Sequence, residues 1–141
     1  MNFPENAIQQ AIAEYLKLNK IFFFHIPNER KSSARDMVRL KKMGLVPGVA
    51  DLEVWFPKKG INKAALYSAM EKGIIPSAPS LLVDIGYIEV KAPGGKQTEN
   101  QVIFEKYCKI AGLDYRVVFS VDEVAAILKE RGIIGGKIWK N

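Results

Sequence analysis

In the stretch YIEVKAP, residues 87–93, a carboxylate and an ammonium stand two residues apart, Glu89 and Lys91. Strand alternation sends both side chains to one face, about 7 Å from each other. Such a pair has a bland reading, an exposed salt bridge contributing ~0–1 kcal/mol, and a chemical one. Hydrolysis of a phosphodiester requires that charge on the phosphate be neutralised and a water activated. Carboxylates converging on a divalent cation supply both, and an ammonium beside the cation orients the water and favours its deprotonated form. A second carboxylate on a neighbouring strand is then needed. Asp51 meets that description, at the start of a strand just after the turn at Pro47 and Gly48.

The E-x-K pattern alone carries little. Ten Glu and sixteen Lys in 141 residues give about one such tripeptide by chance, and the chain has two. The other, Glu29 to Lys31, falls in a polar loop; only Glu89 and Lys91 sit on a scaffold stiff enough to hold a site. Glu53 shares the face of Asp51 and is expected to be a solvated strand residue rather than a ligand. Asp84 has the wrong parity for the Glu89 face. His25 is the only histidine and Cys108 the only cysteine, which excludes a His-rich zinc site, a zinc finger and a disulfide framework. His25 reads as a strand histidine satisfied by hydrogen bonds, and Cys108 as a helix core residue. GGKQT at 94–98 lacks the Ser or Thr and the first glycine of a phosphate-binding loop, so no nucleotide cofactor is expected.

The elements that must position these groups follow from period and caps. Ile8, Ala11, Ile12, Tyr15 and Leu16 give a first helix from Pro4 one apolar face. IFFFHI at 21–26 predicts a strand. Ser33 and Asp36 predict an N-cap, and Gly44 the end, of a short second helix. Strands are expected over about 50–56 and 81–92, the latter ended by Pro93, Gly94 and Gly95. Between them, residues 57–80 carry five Pro and Gly around a short helical pattern at Lys63 to Lys72 and read as an inserted flap. Thr98 and Gln101 form a T-x-x-Q capping box before a helix bearing Val102, Ile103, Phe104, Tyr107 and Ile110. YRVVFS is a strand, and Ser120 with Glu123 caps a last helix to Arg131. Without the flap and the second helix the order is α, β, β, β, α, β, α. The chain is expected to be one α/β domain over residues 1–141, with the flap at about 57–80 and a short tail at 132–141.

Charge points to a partner. The net charge is +6, and residues 30–42 hold Arg30, Lys31, Arg35, Arg39, Lys41 and Lys42 against Asp36 alone. Arg35, Arg39 and Lys42 fall at i, i+4 and i+7, one stripe of the second helix, and with Arg30 and Lys31 before it they suit a phosphate backbone; a merely solvated face is the competing reading. The N-terminal segment MNFPENAIQQ has no basic region followed by an apolar run, and no stretch approaches ~18 consecutive apolar residues. The expectation is a cytoplasmic protein without a membrane.

Taken together, GVAD at 48–51, IEVKAPGG at 88–95 and the T-x-x-Q at 98–101 resemble the VRR-NUC family, the virus-type replication and repair nucleases of the PD-(D/E)xK superfamily, over about Glu5 to Leu128. The family's restriction-endonuclease-like fold, an αβββαβ core with a mixed central sheet flanked by helices, agrees with the element order above. The resemblance implies a metal-dependent DNA endonuclease; small standalone members are similar to Holliday-junction resolvases, act on branched DNA and form homodimers. It further implies that Asp51 and Glu89 bind Mg²⁺ or Mn²⁺ with the Val90 carbonyl as a further ligand, and that Lys91 acts on the nucleophilic water. Gln101 would support the site and Glu5 would complete the outer shell of the metal. Both also have plain explanations, since a capping-box glutamine needs no catalysis and an acid in a first turn is favoured by the helix dipole. The flap departs from short members, which bears on substrate choice. Flap, nicked or linear duplex DNA, and a binding module without turnover, stand as alternatives.

Overall fold

The computed structural model describes residues 3–27, 33–76 and 81–134. Five helices and four strands alternate along these residues: α1 (Phe3–Leu18), β1 (Phe22–His25), α2 (Ala34–Lys42), β2 (Leu52–Pro57), α3 (Lys63–Lys72), β3 (Val83–Val90), α4 (Glu99–Ala111), β4 (Asp114–Val118) and α5 (Val121–Glu130). With α2 and α3 set aside, this is the expected order. The strands form one mixed sheet in the order β1-β2-β3-β4. β1, β2 and β3 run antiparallel, whereas β4 is parallel to β3, as a strand reached through a crossover helix must be.

Alternation along β2 and β3 divides the sheet's two faces. Leu52, Val54, Phe56, Ile88 and Val90 point to one side and pack with Ile12, Tyr15 and Leu16 of α1 and with Val124, Ile127 and Leu128 of α5. Burying each such side chain contributes roughly 1.5–3 kcal/mol, so this layer is the main support of the fold. Gly86 belongs to it through what it lacks. A Cβ there would lie 2.6 Å from Phe56 Cε2, and its absence lets the Phe56 ring lie across β3. Tyr87, Tyr115 and Val117 point to the other side and meet Phe104 and Cys108 of α4, so Cys108 is the expected core residue. Ile133 and Ile134 of the tail pack on the main core; Ile138 and Trp139 lie outside the described residues.

The two extra helices bury no side chain. Ser33 Oγ accepts the Asp36 N–H and caps α2, as its spacing predicts. α3, within the flap, is capped by Asn62 and closed by Gly73 in the left-handed conformation at φ 68°. It reaches the body through Lys63 Nζ, 3.5 Å from Asn19 Oδ1, and through Lys20, whose ammonium lies 5.6 Å from the Tyr67 ring centre. Among the described residues, no helix is long and apolar enough to cross a membrane.

Candidate metal centre

The ladder between β2 and β3 pairs Leu52 with Ile88. Asp51 and Glu89 are the next residues along the two strands, just beyond the last pair of the ladder. Strand spacing carried one step further would bring their Cβ atoms to about 4.5–5.5 Å. A hydrogen bond fixes that approach: Asp51 Oδ2 accepts the Val90 N–H at 2.7 Å. The backbone of Asp51 is held as well, since its carbonyl accepts the Ile26 N–H at 2.8 Å.

Glu89 is held from two directions. Gln101 donates its side-chain amide to Glu89 Oε2 at 2.9 Å, and Lys91 Nζ lies 3.6 Å from the same oxygen. All four side chains are withdrawn from water, with exposures of 2% for Asp51, 0% for Glu89, 4% for Lys91 and 2% for Gln101. An exposed salt bridge is therefore the wrong description of Glu89 and Lys91. Burying two carboxylates against one ammonium costs several kcal/mol per ion unless compensated, an arrangement that a divalent cation would compensate directly.

α4 sets Gln101 in place through its own N-terminus. Thr98 Oγ1 accepts the Gln101 N–H at 3.2 Å and Gln101 Oε1 accepts the Thr98 N–H at 2.7 Å, which is the predicted capping box. Its amide nitrogen remains for Glu89. One side chain thus serves cap and site together, where the sequence offered these as alternatives.

Glu5 is buried in the first turn of α1. One helical turn later, on the same face, Gln9 Nε2 lies 2.9 Å from His25 Nδ1, and that ring nitrogen lies 3.1 Å from the Asp51 carbonyl oxygen. Gln9 carries no local sequence signal, and only the packing of α1 beside the ends of β1 and β2 brings it there. His25 is the hydrogen-bonded strand histidine expected. Among the described residues no group of three or more His, Cys, Asp or Glu side chains is placed to hold a metal ion. Asp51 and Glu89 are two carboxylates that could hold Mg²⁺, a cation that binds through one or two carboxylates and keeps several waters.

Glu53 is partly exposed, as its strand position suggested, and both its oxygens are engaged. Trp55 Nε1 and Tyr87 OH donate to its two oxygens at 2.7 and 2.9 Å. Burial, then the hydrogen bond to Glu53, pushes the Tyr87 hydroxyl up to about 12, so it stays a donor and keeps Glu53 engaged away from the centre. Asp84 is exposed and pairs with Lys58 and Arg131, off the Glu89 face. Arg35, Arg39 and Lys42 are exposed on α2, with Arg39 Nε 4.0 Å from Asp36 Oδ1; Arg30 and Lys31 lie outside the described residues.

Compared with known proteins, the chain matches no family model, no curated protein and no solved structure.

Proposed function

We propose that the chain is a Mg²⁺- or Mn²⁺-dependent DNA endonuclease of VRR-NUC type, with a restriction-endonuclease-like core, that hydrolyses phosphodiester bonds in branched DNA such as four-way junctions. The observation that carries this reading is that Asp51 Oδ2 accepts the N–H of Val90, the neighbour of Glu89, at 2.7 Å, while Lys91 Nζ lies 3.6 Å from Glu89 Oε2. Asp51, Glu89 and the Val90 carbonyl would hold the cation. When bound, it neutralises charge on the scissile phosphate and acidifies a water.

The other steps belong to the chain's own side chains. Lys91 orients the attacking water and favours its deprotonated form through its positive charge. Gln101 keeps Glu89 in one rotamer, so the carboxylate need not reorganise during the reaction. Glu5, buried one helical turn before Gln9, would complete the outer shell of the metal. Arg35, Arg39 and Lys42, with Arg30 and Lys31, neutralise backbone phosphates on either side of the cut. A homodimer fits a two-fold junction, and α4 offers a surface for it, with Ile103, Tyr107 and Ile110 exposed at i, i+4 and i+7.

The test is incubation of the purified protein with four-way junction, flap and linear duplex DNA in Mg²⁺, Mn²⁺ or EDTA. Paired symmetric nicks in the junction, dependent on the cation, are expected. Preference for flap or linear duplex would move the substrate assignment. Absence of cutting on every substrate, with DNA still bound, would leave a binding module.

A further inference from the structure

Between α2 and the first turn of α4 lies a cleft of about 420 Å³. We propose that it receives one unpaired nucleobase of the strand being cut, next to the scissile phosphate. The proposal rests on the nuclease reading and refines its substrate to branched DNA in which one nucleotide at the cutting point is unpaired or leaves its stack.

The walls are apolar, formed by Ile26, Met37, Val46 and Pro47, and Asn100 supplies polar groups at the α4 end. A phosphate would be desolvated there without a partner, whereas the face of a base loses little. The volume lies near the lower end of the ~300–1,000 Å³ of small-ligand sites, which suits a single base and not a stack.

Two lining residues connect the cleft to the metal centre. The Ile26 N–H donates to the Asp51 carbonyl at 2.8 Å, and the Gln101 amide donates to Glu89 Oε2 at 2.9 Å. A base in the cleft is thus one contact away from each carboxylate residue. The opposite wall belongs to α2 through Met37, and the exposed Lys41, one helical turn on, shares that face. A phosphate flanking the inserted base would meet Lys41, so apolar walls and a cation at the rim match the two parts of one nucleotide.

The inner wall is rigid. Gly48 has φ +81°, and a Cβ on it would stand 2.4 Å from the Asn100 carbonyl carbon. The loop before β2 is therefore pressed against α4 at backbone distance. A paired base must leave its stack to enter such a recess, and a base already unpaired enters at the lowest cost.

The experiment uses full-length protein in a Lys91→Ala background, in Mg²⁺, with duplexes carrying 2-aminopurine either unpaired in a one-nucleotide bulge or fully paired. Binding should raise the emission of the bulged probe severalfold as the base leaves its neighbours. Val46 is about half exposed, so Val46→Trp fills the cleft without entering the core. It should abolish that rise and weaken bulged-DNA binding about tenfold, in the range that stacking of one base contributes, with paired-duplex affinity unchanged. Met37→Ala, widening the opposite wall, should reduce the rise. Unchanged emission, or equal weakening of bulged and paired DNA by Met37→Ala, overturns the cleft assignment and leaves the nuclease reading standing. Failure to bind any DNA overturns both.

Discussion

Gln101 Nε2 donates to Glu89 Oε2 at 2.9 Å while Gln101 Oε1 accepts the Thr98 N–H at 2.7 Å. The first turn of α4 is thereby coupled to the buried carboxylate of β3 by one amide group. A carboxylate at 0% exposure is expensive to keep charged. Hydrogen bonds to a charged group are worth about 1.5–3 kcal/mol, so the amide and the Lys91 ammonium both count toward holding it in place.

The two carboxylates and the cation proposed for them give a prediction readable without cleavage. Mg²⁺ at ten times its dissociation constant should stabilise the folded protein by about 1.4 kcal/mol, raising Tm by roughly 5 °C for a chain of this size. Asp51→Asn retains an oxygen for the Val90 N–H and removes one of two facing negative charges. The variant should be at least as stable as wild type in EDTA and should lose the Mg²⁺ increment. Losing several kcal/mol of charge stabilisation at the phosphate corresponds to a fall in cleavage of about 10²-fold or more. Thermal denaturation with and without Mg²⁺ is the check; an undiminished increment in Asp51→Asn would remove Asp51 from the metal.

Capping and site support can be separated at α4. Thr98→Ala removes the acceptor for the Gln101 N–H and should cost about 1 kcal/mol of stability, with cleavage near wild type. Gln101→Ala loses the other half of the box and the donor to Glu89 as well. Its cleavage rate should fall by about tenfold or more, since losing about 1.4 kcal/mol of support at the reacting centre is a factor of ten. Urea titrations paired with initial rates test this; equal rates for the two variants would reduce Gln101 to a cap.

On α2, Arg35, Arg39 and Lys42 are exposed and close no core contact. Replacing all three with Gln should shift Tm by no more than about 2 °C per substitution, because isolated surface substitutions usually stay within about ±0.5 kcal/mol. DNA affinity should fall, and the slope of log K against log salt should become shallower by about 0.9 per lost phosphate contact on duplex. Fluorescence anisotropy between 50 and 200 mM salt, roughly the range where such slopes are measured, gives the number of contacts. An unchanged slope would mean that the helix is only a solvated face.

What could be read in the sequence was local. The capping pairs at Ser33, Thr98 and Ser120 are three-residue signals, and each side-chain oxygen accepts the expected N–H. Strand parity puts Glu89 and Lys91 on one face of β3, and Asp51 is legible as a carboxylate at the start of the neighbouring strand. What could not be read depends on register and packing. The Val90 N–H reaches Asp51 only because the antiparallel ladder sets the start of β2 against the end of β3. Gln9 meets His25 only because α1 lies beside the rim of β1. Parity grouped Glu53 with Asp51, but the sequence did not reveal that Trp55 and Tyr87 would occupy its oxygens.

Far from the centre, Asp114 at the head of β4 gives a prediction in pH. Burial alone would raise its carboxyl, but hydrogen bonds from Arg131 at 2.6 Å and Arg116 at 2.8 Å, with their charges, outweigh this and hold it below the usual range. A carboxyl whose folded pKa is depressed stabilises the fold above its unfolded pKa, about 3.9. That contribution is lost as pH falls from there through the folded pKa. Arg131 also stacks over Phe56, its guanidinium carbon 4.2 Å from the ring centre, so the ion pair anchors α5 to the core side of the sheet. Asp114→Asn should cost about 1–2 kcal/mol at pH 7, discounting the partly exposed Arg116. The gap between wild type and variant should stay constant down to about pH 5, and narrow below the ordinary carboxyl value as Asp114 becomes protonated and equivalent to Asn. Urea denaturation at pH 7, 5, 3 and 2 measures it, and a gap unchanged at the lowest pH would show that Asp114 contributes through packing and not through its charge.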